Sequence, residues 1–355
     1  MSDAAAGTSP QRGSGEARPR LLVLRALGLG GFLTAVPAFR ALDRARPGDP
    51  IDLAAPRAHA DLLALAGLEW TLLPTEGPRT PPWRHPVPPG AAVNLHGSGP
   101  ESVQALRALG PGRLWTHASP AAGTLGPEWP RQMHDVDLWC RLLAYYGISA
   151  DPTDLRLPLP RPPKEHAGAA VVHPGAAFAA RRWPPERFAA LARRLADSGL
   201  DVVITGSAAE RRLALEVAHR AGLDEQRVPA GRTTLPELGA LVAHAALVVC
   251  GDTGAAHLAT AYGTPSVVLF GPVDPALWGP RIDADRHACL WYGEPGDPNG
   301  GAPAPGLLRI GVAEAAAAAE RVLGRTRPAA RSPSPPAPRA PHRLRAAPAS
   351  ASPPR

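Results

Sequence analysis

Residues 246–275 read ALVVCGDTGAAHLATAYGTPSVVLFGPVDP. Two Val-rich runs, 246–250 and 266–270, flank a stretch of helix composition at 255–262. Continuous apolar runs of this kind are the signature of strands buried on both faces. Gly251, Asp252, Thr253 and Gly254 break the first run with turn-forming residues, Gly263 closes the helix, and Pro265 lies just beyond it. The pattern is a βαβ unit whose loop opens straight onto a helix N-terminus. Free backbone N–H groups and the positive end of the helix dipole meet there, so the spot suits a phosphate. His257 falls in the first turn, where the dipole disfavours imidazolium; a neutral ring there still donates one hydrogen bond to a phosphate oxygen. Taken alone, the stretch also fits a plain N-cap at Asp252 or Thr253 and a packed imidazole, because short motifs recur by chance.

The same grammar recurs outward. Residues 20–26 (RLLVLRA) read as a strand, Gly28-Leu29-Gly30-Gly31 as its loop, and 32–45 as one helix with Phe32, Val36 and Phe39 at helical spacing. This is a Rossmann-like opening. The dinucleotide fingerprint G-x-G-x-x-G lacks its last Gly or Ala, and Asp52 falls early in the next strand (51–55) rather than at its end. Both points argue against a nicotinamide dehydrogenase. A helix at 59–66, a strand at 70–73, a proline-dense loop at 74–89 and a strand at 91–95 follow. Ligands of open α/β sheets sit beyond the carboxyl ends of the strands, so His96 is expected to face a cleft. Residues 111–132 show little regular pattern, and 136–146 read as a helix with Leu138, Leu142, Leu143 and Tyr146 on one face.

Prolines at 152, 158, 160, 162 and 163 mark 151–165 as a linker. Beyond it come a strand at 169–172, the loop His173-Pro174-Gly175, and a helix from Pro185 with Phe188, Leu191, Ala192 and Leu195 on one face. A strand at 202–205, the Gly206-Ser207 loop and a helix at 208–221 follow. Thr234-x-x-Glu237 is a capping box, and 313–323 is a last helix. The expected organisation is an N-terminal segment without structure (1–19), a Rossmann-like half (20–150), the linker, a second such half (166–324) and a disordered tail (325–355). A ligand cleft lies between the halves.

A chain of 355 residues fits two domains of ordinary size. Its net charge of +7 is that of the tail, which holds arginines 325, 327, 331, 339, 343, 345 and 355 and no acidic residue. The rest is close to neutral, so no nucleic-acid-binding face is expected. The tail is expected to be solvated, with weak attraction to anionic lipid headgroups as its functional reading. Three scattered cysteines exclude a zinc cluster or a disulfide framework and fit a reducing cytoplasm. No leader and no membrane-length apolar run is visible.

Four pieces, in order, carry a family resemblance: LRALGLGGFLTAVPAFRAL, HPGAAFAARRWPPERFAAL, VVITGSAAE and VVCGDTGAAHLATAYGTPSVVLFGP. From about Arg20 to Leu323 the chain resembles glycosyltransferase family 9, the heptosyltransferase-like enzymes of GT-B fold. The resemblance implies an α/β protein with two Rossmann-like domains facing across a cleft. It further implies an inverting, metal-independent transferase without a cofactor, which moves a sugar, heptose-like and ADP-linked, from a nucleoside diphosphate to the hydroxyl of a glycan or other acceptor. Carried over, the pyrophosphate meets Gly254 and Ala255, with Asp252, Thr253 and His257 around it. Arg181 neutralises the leaving diphosphate, and Ser207 and Glu210 lie by the ribose.

Two departures stand out. The family's usual Asp, placed to act as base, is Gly31 here, and the hydroxyl residues of its second loop are Ala176, Ala177 and Phe178. Either His96, His134 or Asp135 serves as the base, or the acceptor is acidic enough to need little help, or the protein binds a sugar nucleotide without turning it over. The D-T-G triplet also opens aspartic-protease sites, but a single copy inside alternating βαβ excludes that reading. A non-hydrolysing sugar epimerase shares the two-halved plan and fits the RRWPPERF and CGDTGAAH pieces less well.

Overall fold

The computed structural model describes residues 19–130 and 132–326. The expectations for 1–18 and for the tail from 327 lie outside the described residues.

The first half runs β1 (Leu21–Leu24), α1 (Leu29–Thr34), α2 (Val36–Ala45), β2 (Ile51–Ala55), α3 (Ala60–Ala66), β3 (Thr71–Pro74), β4 (Ala91–Asn94), α4 (Pro100–Arg107), β5 (Leu114–Trp115) and α5 (Asp135–Tyr145). The second runs β6 (Ala170–His173), α6 (Pro185–Asp197), β7 (Val202–Ile204), α7 (Arg211–Ala221), α8 (Leu235–Ala243), β8 (Leu247–Gly251), α9 (Gly254–Tyr262), β9 (Ser266–Leu269), α10 (Pro275–Trp278), β10 (His287–Leu290), α11 (Pro305–Arg309) and α12 (Val312–Thr326). Each half holds one parallel sheet, in the order β3-β2-β1-β4-β5 and β10-β9-β8-β6-β7. Strand order therefore reverses beside β1 and β4 in the first sheet and beside β6 and β8 in the second. Open α/β sheets bind ligands in the crevice at such switch points.

Side-chain alternation sorts the strands into layers. Val171 of β6 and Val248 of β8 belong to a large apolar cluster that also contains Leu21, Phe32 and Phe39 of the first half. Their neighbours Val172 and Val249 point the other way, into a cluster with Phe188 and Leu191 of α6 and Ala315 and Val322 of α12. One core thus runs through both halves, and a second lies behind the C-terminal sheet.

The expected helix over 32–45 is two helices. The first starts at Leu29, and the chain breaks at Ala35 (φ −92°, ψ −5°) before α2. Pro37 has no N–H to bond back to Leu33, so one continuous helix would lose a rung there. Helix 208–221 likewise begins as a 3₁₀ turn, Ala208–Glu210, before α7. The capping box is present: Glu237 Oε2 accepts the Thr234 N–H at 2.8 Å, and Thr234 Oγ1 accepts the Glu237 N–H at 3.4 Å. Residues 151–165 carry no helix or strand. They are pinned on both sides, by the Asp154–Arg40 ion pair at 2.6 Å and by the Leu157 N–H, which donates to Ala261 O at 3.1 Å. The last helix continues through Thr326, past the expected end of the second half at 324.

Candidate active site

A cavity of about 820 Å³ lies where the switch points of the two sheets face each other. Its C-terminal wall is the loop from β8 into α9. Thr253 is the N-cap of α9, with extended backbone (φ −154°), yet its side chain makes no capping hydrogen bond. Its hydroxyl and the N–H groups of Gly254 and Ala255 therefore remain for a ligand. The Asp252 side chain is 4% exposed, and its Oδ2 has no hydrogen-bond partner; the nearest cation is Arg181 Nη1 at 3.6 Å. Burial pushes its carboxyl up to about 6, against the opposing pull of Arg181. Arg181 donates to Asp252 O at 3.4 Å, lies 5.6 and 5.8 Å from the ring centres of Phe178 and Trp278, and leaves its own Nε without an acceptor. A buried carboxylate oxygen and a buried guanidinium nitrogen, both unpartnered, describe a site finished by a ligand.

Ser207 and Glu210 meet in a capping turn. Glu210 Oε2 accepts from the backbone N–H and the hydroxyl of Ser207, each at 2.8 Å, and Oε1 remains available to a ligand. Burial pushes this carboxyl up, but the Ser207 N–H and the neighbouring His173 ring hold it below its usual value. His173 Nε2 stands 4.0 Å away, and its Nδ1 is 3.0 Å from Thr205 Oγ1. Gly175 is required here: a Cβ would lie 2.2 Å from the Glu210 carboxyl.

The opposite wall is α1 and its loop. Arg25, 1% exposed, donates to Gly31 O (2.7 Å), Leu95 O (2.6 Å), Thr34 Oγ1 (2.9 Å) and Asp135 Oδ2 (2.8 Å). It also stacks 4.5 Å over Trp139. It ties together the loops after β1 and β4 and the start of α5. Asp135 is saturated: Oδ2 also accepts from Thr34 Oγ1 at 2.6 Å, and Oδ1 accepts from Trp139 Nε1 at 3.1 Å. Its depressed pKa makes it a weak base.

The other expected bases fare no better. His134 accepts the Val136 N–H on Nδ1 (3.2 Å) and donates from Nε2 to Gly279 O (2.8 Å), so both nitrogens are used. His96 does not line the cavity, and its Nδ1 is buried without a partner. Gly31 leaves no room for a side chain, since a Cβ would lie 2.6 Å from Leu27 Cβ.

The two walls touch where α1 meets α9. A Cβ on Gly254 would come within 2.7 Å of Leu29 Cγ, and one on Gly30 within 2.7 Å of the His257 ring. Gly254→Ala is expected to destabilise the fold by about 1–3 kcal/mol through overpacking. Thermal unfolding reads this, and an unchanged midpoint would contradict the close approach.

Arg25 and His173 were not singled out from sequence. The first had a visible signal, a charged residue directly beyond the carboxyl end of the first apolar run; the second ends the strand before Pro174-Gly175.

Two parallel-sheet Rossmann-like halves enclosing such a cleft define a GT-B fold. In agreement, the structure superposes on Escherichia coli ADP-heptose LPS heptosyltransferase II with a TM-score of 0.68 at 20% identity, covering 86% of this chain and 99% of that one. A family 9 glycosyltransferase from Veillonella parvula also gives 0.68, at 18% identity over 88% and 100% of the two chains. Residues 136–298 match the family described as glycosyltransferase family 9 (heptosyltransferase). Lipopolysaccharide heptosyltransferase 3 of Escherichia coli is 35% identical over 37% of this chain and 39% of its own length. Lipopolysaccharide heptosyltransferase 2 of the K12 strain is 37% identical over 34% and 36%. The matched region spans less than two fifths of these curated relatives. Over residues 136–298 the chain is thus similar to the heptosyltransferase-like proteins of glycosyltransferase family 9, and as a whole it shares their fold.

Proposed function

We propose that the protein is an inverting glycosyltransferase that moves a sugar from a nucleoside diphosphate, ADP-heptose in the first instance, to the hydroxyl of a glycan acceptor. The observation that carries this reading is the pair of unpartnered buried atoms, Arg181 Nε and Asp252 Oδ2, beside the open N-terminus of α9. Gly254, Ala255 and Thr253 hold the pyrophosphate there, with His257 beside them. Arg181 takes up the charge that develops on the leaving diphosphate, and Ser207 and Glu210 bind the nucleoside. Positive charge comes from the chain itself, so transfer proceeds without a metal ion.

A sugar-nucleotide-binding protein that does not turn its ligand over is the second reading, favoured by Gly31. Among the described residues no helix is long and apolar enough to cross a membrane. Residence in the cytoplasm, with the tail arginines against anionic lipid, is part of the proposal.

Thermal unfolding of the full chain with ADP, GDP, UDP or TDP, each with and without magnesium, tests the donor site. At about 100 times its dissociation constant a ligand stabilises by about 2.7 kcal/mol, a shift of roughly 4 °C for a protein of this size. ADP is expected to give the largest shift, with or without magnesium. No shift with any of the four would overturn both readings.

A further inference from the structure

Transfer to a hydroxyl needs a group to take its proton, and the cleft narrows the choice. The carboxylate of Asp135 is filled by Arg25, Thr34 and Trp139, both nitrogens of His134 are bonded, and His96 stands outside the cavity. His257 lines the cavity, and neither of its ring nitrogens makes a hydrogen bond to another described residue. Although it springs from α9, its ring lies against the Cα of Gly30 on α1. A Cβ there would come within 2.7 Å of Cδ2 and 3.2 Å of Nε2, so only glycine lets the imidazole reach the opposite wall. The ring thus stands at the seam between the donor side and the far wall, against Gly30.

We propose that Nε2 of His257 is the general base of the transfer; this rests on the transferase reading above. The acceptor oxygen bonds to the anomeric carbon as that carbon's bond to the diphosphate oxygen breaks. The electron pair leaves with the nucleoside diphosphate, the hydroxyl proton goes to His257, and water removes it afterwards. Burial pushes the free ring down to about 4, opposed by Asp135 and reinforced by His134, Arg25 and Arg181, so before a ligand binds it is neutral but only weakly basic. A bound diphosphate at the N-terminus of the same helix adds negative charge and raises its basicity during turnover.

The test is release of nucleoside diphosphate, with water as acceptor, from ADP-heptose, ADP-glucose, UDP-glucose, GDP-mannose and TDP-glucose. His257→Ala is expected to lower kcat by about 10²- to 10⁴-fold, well beyond any accompanying change in the donor KM or the ADP-induced thermal shift. Added imidazoles are expected to restore the rate, more strongly the more basic they are. His257→Asn, which keeps a polar side chain but no basic nitrogen, is expected to lose as much and serves if the alanine variant does not fold. An unchanged kcat, a loss confined to KM, or rescue indifferent to imidazole basicity would overturn the assignment and leave the transferase standing. No turnover of any donor by the wild type would remove both.

Discussion

Arg25→Met is expected to lower stability by about 3–5 kcal/mol, because it breaks a buried ion pair and leaves the other charge behind. Methionine can fill much of the space, but Gly31 O, Leu95 O and Thr34 Oγ1 lose their donor and Asp135 loses its counter-charge. Burial pushes the Asp135 carboxyl up, and Arg25 with the Thr34 hydroxyl outweighs it, so the group sits below its usual value. A carboxyl depressed on folding stabilises fully above its unfolded pKa of about 4 and loses that contribution as pH falls through the folded value. The gap between wild type and Arg25→Met should therefore be widest near neutrality and shrink below about pH 4. Urea unfolding at neutral and acid pH measures it; a gap that did not depend on pH would show the loss to be packing alone.

Arg181→Ala is expected to weaken ADP binding by roughly 10²-fold, the range for truncating one partner of a buried charged contact. The guanidinium has a free Nε, lies 5.6 and 5.8 Å from the ring centres of Phe178 and Trp278, and is 15% exposed. Arg181→Lys should recover only part of the loss: an ammonium brings the charge but not the fork. The substitution also removes the cation that restrains Asp252, whose carboxyl, already near 6, would rise further. Calorimetric titration with ADP decides the matter, and a loss of less than about threefold would place the diphosphate elsewhere in the cleft.

The two predictions draw on features of unequal visibility in the sequence. The donor-side loop could be read because its parts are local: a buried strand, four turn residues and a helix start lie within one short stretch. Strands β1 to β4 and β6 to β9 were legible because each is a short, largely apolar run bounded by turn residues. What escaped is made by distant partners. Strand β5 is only Leu114–Trp115, and β10 has a half-exposed pattern, so neither shows a run long enough to notice. The short helices α10 and α11 gave no periodic signal. Asp135 was named from sequence for its chemistry, but the arginine that saturates it lies far along the chain. His257 could be assigned to the α9 N-terminus, whereas its contact with Gly30 exists only once two helices from different halves have met.

The apolar cluster shared by the two sheets bears on how such proteins can be recombined. Crossing two relatives at residues 151–165, where no helix or strand would be cut, exchanges the halves cleanly in sequence but not in space. Phe32 and Phe39 arrive with one parent and Val248, Leu258 and Phe270 with the other, all within a single packed interior. A chimera that swaps N-terminal halves therefore inherits a mismatched seam directly beneath the cleft. Its repair belongs on the facing surfaces of α1 and α9 and of α3 and α8 rather than in the linker.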